Sequence, residues 1–388
     1  MGRSLWAEID LDALRSNMSF LTRTVYPAKF CAVVKADAYG HGARIIAGAA
    51  LEHGASYVAV ATVEEGVALR DIGITAPILL LSEPDRDAVE DAVARDLTFS
   101  VYSVRTLIEI IASWERLSQS FPSMKVPRVH VDVDTGMHRI GTSSEGALEL
   151  VSIATQGGLD VEGIFSHFAV ADGGEDGREM TLRQIRRFER VLAQLAAMGI
   201  TPRLVHLANS AGALGYPASR YDMVRVGMAM YGYPPSEHVA APTLRPVLSL
   251  RARVSFVQSL PEGDAISYGL KRPLRRRSTI ATVPAGYADG IPRLAFERGL
   301  EFLVHEQPVP IAGVVTMDQL MIDCGDLDVR IGDEVVLLGR QGRASVDARD
   351  WARAALTSPY EIVTRIGPRV PRVAVAASNA SSAHSGRG

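Results

Sequence analysis

Phe30-Cys31-Ala32-Val33-Val34-Lys35-Ala36-Asp37-Ala38-Tyr39-Gly40-His41-Gly42 opens as a strand and ends as a turn, with a lysine at the junction. A continuous apolar, β-branched run marks a strand buried on both faces, as in a parallel sheet covered by helices. A lysine at its end either meets solvent or Asp37, or stays desolvated. In the second case its lowered pKa leaves a nucleophilic amine suited to Schiff-base chemistry. Seven more short apolar runs follow: Tyr57–Ala61, Pro77–Leu81, Leu97–Val101, Arg128–Val133, Val161–Ser166, Arg203–Leu207 and Met223–Gly227. Helical patterns lie between them, among them Ala43–His53, Glu64–Asp71, Val104–Ser120 and Met180–Met198. About eight βα units in roughly 200 residues predict a closed (β/α)8 TIM-type barrel. The alternative is an open doubly wound sheet, but the first strand is not followed by the GxGxxG loop that would mark one.

Beyond Tyr233-Pro234-Pro235 the pattern becomes strand-like, with Val247–Gln258, Thr279–Pro284, Val309–Val315, Leu320–Cys324 and Glu334–Leu338 separated by turn signals such as Pro261–Asp264 and Ile331–Asp333. The expected division is a barrel over residues 1–240, a mostly β domain over 241–373 and a Ser/Ala/Gly-rich disordered tail over 374–388. Residues 6–11 are candidates to pair with the β domain.

The 41 basic and 44 acidic residues leave a net charge of −3, which gives no sign of a polyanion-binding surface. The short basic run Lys271–Arg277 contains Pro273 and no aromatic residue, and reads as a solvated loop rather than a nucleic-acid site. No apolar run approaches the ~20 residues of a membrane helix, and the N-terminus lacks the apolar core of a signal peptide. The two cysteines, Cys31 and Cys324, carry no metal-ligand spacing, so a reducing cytoplasm and no metal are expected.

Catalytic groups of such barrels sit at the C-terminal ends of strands. Here those ends carry Lys35 and Tyr39, then Asp132, Asp134 and Arg139, then His167, then Asn209 and Ser210, and Arg225. Each has a bland alternative: Asp134 and Gly136 form a turn, His167 is a satisfied core histidine, Ser210 is a helix N-cap. Their shared placement at one rim points to a common site.

These residues carry a resemblance. From about Trp6 to Val373 the chain resembles the fold-type III pyridoxal-phosphate enzymes, and among them the alanine racemase family. The motifs are Ala32–Gly42, Asp134-Thr135-Gly136-Met137-His138-Arg139-Ile140-Gly141, Ser166-His167-Phe168-Ala169, Ala208-Asn209-Ser210 and Met223-Val224-Arg225-Val226-Gly227. The second domain adds Ser267-Tyr268-Gly269, Ala285–Gly290, Met317-Asp318-Gln319 and Ser358-Pro359-Tyr360-Glu361.

The resemblance implies pyridoxal 5′-phosphate bound through Lys35, and interconversion of L- and D-alanine for cell-wall peptidoglycan. It implies phosphate donors at Tyr39, Ser210, Tyr360 and the N–H groups of Gly227 and Met228, with Asn209 alongside. Arg225 would face the pyridine nitrogen, which a guanidinium leaves unprotonated. Lys35 would serve one face of the α-carbon, and Tyr268 of a partner subunit the other, supported by His167. Arg139 and the Met317 N–H, the latter from the partner, would clamp the substrate carboxylate. Tyr287 and Asp318 would narrow the entrance. A homodimer with shared sites follows.

Three departures stand out. Many members carry a carbamylated lysine seven residues before the arginine; here Asp132 stands there, and is expected to orient Arg139 permanently, without carbon dioxide. Thr316 replaces a common cysteine, and His138 a common glycine. The rival readings are a racemase of serine or of larger amino acids, a fold-III decarboxylase, and a cofactor carrier built on the barrel alone. Arg225 speaks against the decarboxylase, and Tyr268, Tyr287 and Met317 against the carrier.

Overall fold

The computed structural model describes residues 4–241 and 243–376, and divides into two compact units. Leu14–Ala38 and Ala43–Arg245 form one; the residues up to Ala13, Tyr39–Gly42 and those from Pro246 onward form the other. The division thus falls after Arg245 rather than at 240.

The first unit is the barrel. Its strands are β2 (Lys29–Val33), β3 (Ala55–Val60), β4 (Ile78–Leu80), β5 (Phe99–Val101), β6 (Arg128–Asp132), β7 (Asp160–Phe165), β8 (Leu204–His206) and β9 (Met223–Val226), after β1 (Leu5–Asp10) of the other unit. They pair in parallel in the orders β4-β3-β2-β9 and β5-β6-β7-β8. A parallel bridge from Leu79 to Thr98 joins β4 to β5, and the Arg225 N–H donates to the Ala208 carbonyl at 2.9 Å, closing β8 on β9. The strands are short and apolar because both of their faces are covered. The surrounding helices begin where the sequence offers a cap: Thr62, Ser103, Ser143 and Asn209 each accept the N–H three residues on. The long helix Gly174–Ala197 starts six residues before the expected Met180. Gly173-Gly174 reads as a breaker, but Glu175 and Asp176 suit a helix N-terminus.

The second unit is mostly β. β10 (Leu248–Arg253), β13 (Glu301–Val304), β14 (Gln307–Pro310), β16 (Glu334–Gln341) and β18 (Arg372–Val375) form a sheet with β1, in the order β14-β13-β16-β10-β1-β18, and β17 (Ala344–Val346) pairs with β16. β11 (Phe256–Leu260), β12 (Ser278–Val283) and β15 (Leu320–Gly325) form another. Arg251 ties the first sheet together, paired with Glu8 at 2.6 Å and Glu334 at 2.7 Å.

Three expectations need correction. Val247–Gln258 is not one strand: the Val254 N–H bonds the carbonyl of Asp333, just before β16 of one sheet, and the Ser255 N–H bonds Thr282 of the other, so the chain changes sheets there. Val309–Val315 is strand only to Pro310, because Gly313 turns the chain with φ +85°. Ala374 and Val375, assigned to the tail, pair with Ile9 and Asp10; residues 377–388 of that tail lie outside the described residues. Among the described residues no helix is long and apolar enough to cross a membrane, and no cluster of metal-ligating side chains occurs.

Candidate active site

Lys35 lies two residues beyond β2. The chain then turns left-handed: Ala36, Asp37, Ala38 and Tyr39 have φ of 51°, 52°, 55° and 53°. This conformation costs a non-glycine residue roughly 1–2 kcal/mol, so it persists only if held. The Ala38 N–H donates to the Val34 carbonyl at 2.8 Å, the Ala36 N–H to Glu65 Oε1 at 2.6 Å and the Ala43 N–H to Asp37 Oδ1 at 2.7 Å. Asp37 is therefore a clasp for the turn rather than a partner for Lys35. The Lys35 amine has no hydrogen-bond or ion-pair partner among the described residues. Burial and then the Arg139 charge lower its pKa, and Glu65 opposes them.

Arg225 projects from β9, the neighbour of β2, and is 3% exposed. All its hydrogen-bond partners are neutral acceptors: His206 Nδ1 at 2.6 Å, His167 Nδ1 at 3.2 Å, and the carbonyls of Ser166 at 2.7 Å, His206 at 3.3 Å and Leu207 at 3.4 Å. The Phe165 ring lies 4.9 Å from the guanidinium. Burial lowers the Arg225 pKa to about 10, against the opposing charge of Asp132, so it stays a cation near neutrality. Burial and the cations Arg225, Arg139 and Lys35 push His167 down to about 3, and it is neutral. Since a guanidinium only donates, Nδ1 of each imidazole accepts and the hydrogen sits on Nε2.

The same logic runs inward through residues that the sequence reading passed over. His206 Nε2 lies 2.8 Å from His130 Nδ1, His130 Nε2 lies 3.1 Å from Glu162 Oε2, and the Tyr57 hydroxyl donates to Glu162 Oε2 at 2.6 Å. Burial lowers both histidine pKa values, so one chain of donated hydrogens leads from His206 through His130 to an ionised carboxylate. The signal in the sequence was a polar residue inside each of three buried parallel strands. Another overlooked residue, the buried Gln184, donates to the His167 carbonyl at 2.8 Å and to Thr135 Oγ1 at 3.2 Å, and accepts from the Ala169 N–H at 2.9 Å.

The expected Asp132–Arg139 pair is not made. Asp132 is buried, Arg139 is exposed, and no ion pair joins them. Burial raises Asp132 to about 7, although Arg225 and Arg139 both oppose that rise. Its carboxyl is therefore neutral in folded and unfolded chains alike only well below the ordinary carboxylate pKa of ~4. Its folded pKa lies above the unfolded value, so the fold is penalised increasingly as pH rises towards 7. Asp132→Asn is expected to gain urea-denaturation midpoint over wild type between pH 5 and pH 8. A difference independent of pH would show that the carboxyl titrates normally. His138 has a role the sequence left open: it adopts φ 55° and its imidazole meets Asp134 at 2.7 Å. Asp134 Oδ1 also accepts the N–H groups of Gly136, Met137 and His138, shaping the loop that ends in Arg139.

At the far side of Arg225, Asn209 rather than Ser210 caps the helix Ser210–Gly215, accepting the Gly212 N–H at 3.0 Å. Ser210 Oγ instead accepts the Gly227 N–H at 3.2 Å and the Ala229 N–H at 3.5 Å. The buried Met228 N–H has no acceptor among the described residues.

The β unit holds the other candidates. The Tyr39 and Tyr360 rings lie 6.2 Å apart, and burial raises the Tyr39 pKa. The Tyr287 and Ala288 N–H groups donate to the Thr316 and Met317 carbonyls at 3.0 and 3.1 Å. Gly286 permits this approach, because a Cβ there would lie 2.2 Å from the Met317 oxygen. Arg369 joins both loops, at 3.0 Å from Asp289 and 2.5 Å from Asp318. The Met317 N–H finds no acceptor among the described residues, and Met317 is 53% exposed. Tyr268 is 74% exposed, on a loop pinned by Ser267 Oγ donating to the Val314 carbonyl at 2.6 Å.

Residues 9–235 match the alanine racemase N-terminal domain family, and residues 247–374 the alanine racemase C-terminal domain family. The alanine racemase of Symbiobacterium thermophilum is 44% identical over 373 residues, covering 95% of this chain and 97% of that protein. A solved alanine racemase of Clostridium difficile 630 superposes with a TM-score of 0.91 at 36% identity, over 97% of each chain. A histidine racemase from Leuconostoc mesenteroides subsp. sake superposes at 0.87 with 28% identity, over 96% of this chain and 98% of that one. With two domain families matched in order over nearly its whole length, the chain belongs to the alanine racemase family.

Proposed function

We propose that this protein interconverts L- and D-alanine by a two-base mechanism, with pyridoxal 5′-phosphate as cofactor. The observation that carries the reading is the pairing of a desolvated Lys35 beyond β2 with an Arg225 on β9 whose partners are all neutral acceptors. The residues present fit the cofactor. The unpartnered Met228 N–H, with Gly227 and Ser210 beside it, suits an anionic phosphate, and the hydroxyls of Tyr39 and Tyr360 are assigned to the same group. Asn209 positions Ser210 by capping its helix. When bound through Lys35, the cofactor supplies an electron-accepting ring conjugated to the α-carbon of the amino acid.

Arg225, a donor that stays charged, would leave the ring nitrogen unprotonated. That favours returning a proton to the α-carbon over moving it elsewhere. Lys35 Nζ, with its lowered pKa, takes or gives the proton on one face. The Tyr268 hydroxyl does so on the other, and His167, with its hydrogen on Nε2, is a neutral donor suited to a phenolate. Arg139 and the Met317 N–H hold the substrate carboxylate. Tyr287, with the Asp318 loop fixed by Arg369, bounds the space left for the side chain. The exposure of Tyr268, Leu270 and Met317 in one chain supports a homodimer in which these residues serve the partner. Supply of D-alanine for peptidoglycan in the cytoplasm is the role that follows.

The test is cofactor-loaded protein with L-alanine in heavy water. D-Alanine carrying α-deuterium from the earliest times, with unlabelled L-alanine remaining, is expected. Racemisation of histidine or serine but not alanine would move the substrate, and carbon dioxide release would replace racemisation by decarboxylation.

A further inference from the structure

Glu65 stands between the two features that make Lys35 unusual, its strained support and its desolvated amine. It lies on the helix Val63–Asp71, which follows β3. Its Oε1 accepts the N–H of Ala36, the first left-handed residue after Lys35, at 2.6 Å. Its Oε2 accepts the N–H of Ala61, just past the end of β3, at 2.8 Å. One carboxylate thus spans the ends of two adjacent barrel strands, β2 and β3. Both oxygens are occupied by backbone, so the carboxylate stays in place without an ion pair to the lysine. A carboxylate is the only side chain of this length that can accept from both N–H groups at once, since an amide would turn a donor towards one of them.

We propose that Glu65 is a positioning residue for Lys35, holding the left-handed turn in register with β3 and setting a fixed negative charge beside the amine. The proposal rests on Lys35 being the cofactor lysine. Among the described residues, the charged and titratable groups acting on the amine are Glu65, Arg139 and His167. Asp37 is adjacent but is engaged by the Ala43 N–H. Arg139 is a cation and His167 is neutral, which leaves Glu65 as the anion acting on the amine. Without it, the amine loses its proton at lower pH, and Ala36 loses the acceptor that restrains its N–H.

The test uses the full-length chain freed of cofactor with hydroxylamine. Pyridoxal 5′-phosphate is then supplied across a pH series, borohydride fixes the adduct, and peptide mass locates it. Backbone hydrogen exchange at Ala36 is followed in the same protein. Glu65→Gln is expected to lower the pH midpoint of Lys35 capture by about half a unit or more. It should also speed exchange at Ala36 and reduce kcat of the loaded enzyme about tenfold or more through misplacement of the lysine. Glu65→Asp keeps the charge but cannot reach both N–H groups, so its midpoint should match wild type while exchange at Ala36 rises. It serves in the same measurements should Glu65→Gln not fold. A wild-type midpoint in Glu65→Gln, whether or not Ala36 loosens, would reduce Glu65 to a brace and overturn the proposal. So would a shifted midpoint in Glu65→Asp. Wild-type protein that gives no adduct at Lys35 at any pH would overturn the cofactor reading itself.

Discussion

Neither Lys35→Ala nor Tyr268→Phe homodimers are expected to racemise alanine measurably, yet mixing the two under subunit exchange should return about a quarter of wild-type activity. Under the proposed two-base mechanism each substitution would remove one of two bases acting on opposite faces of the same carbon, and losses of at least about four orders of magnitude are expected where such groups act as a unit. Lys35→Ala should fold normally, because Lys35 has no partner to lose among the described residues and its burial opposes folding. Tyr268→Phe removes only a hydroxyl from a residue that is three-quarters exposed in the chain. The recovery expected on mixing follows from counting. If the sites are shared as proposed, half of the dimers would pair unlike chains, and each of these would have one site with both bases intact and one with neither. The measurement is D-alanine formation against time of mixing, with native mass spectrometry confirming exchange. Confirmed heterodimers without recovered activity would place both bases of each site in a single chain.

Arg225→Met should damage stability and turnover together. Arg225 supplies hydrogens to two imidazoles and three carbonyls at the C-terminal ends of β7 and β8, and methionine supplies none. Each buried acceptor left unpaired costs about 1–3 kcal/mol. Asp132 would also lose the cation that most lowers its pKa, so that pKa should rise above about 7. The expected observations are a thermal midpoint lower by about 10 °C and a turnover reduced by about 10²–10³-fold from loss of the oriented donor. Arg225→Lys separates the two effects. It keeps a charge and some donors, so it should recover part of the stability, while one ammonium cannot meet both His206 and His167 in the guanidinium plane. Full turnover in Arg225→Lys would show that charge alone is what the site requires.

The residues that act through residue type were legible early. Lys35 stood out as a charged residue ending a buried run. The eight strands were legible because parallel strands covered on both faces are continuously apolar, and each lies within a few residues of where periodicity put it. His130, Glu162 and His206 broke the same apolar rule in the same strands, but a polar residue in a strand says nothing of its partner until neighbouring strands bring the side chains within 3 Å or so. Asp132 shows the opposite failure. Its chemistry suggested a permanent counter-charge for Arg139, and burial in the folded chain raises its pKa and leaves the two unpaired.

The sequence alone determined the barrel and the β domain beyond it, because apolar periodicity is a local property of the chain, and its residue types nominated the candidate side chains of the site. Only the tertiary structure decided that Val247–Gln258 divides between two sheets and that the C-terminal strand returns to pair with Leu5–Asp10. It alone showed that the turn after Lys35 is left-handed and held by Glu65, and which ring nitrogens of His206 and His130 carry hydrogen. These depend on desolvation and on partners distant in sequence, and neither exists until the chain has closed on itself.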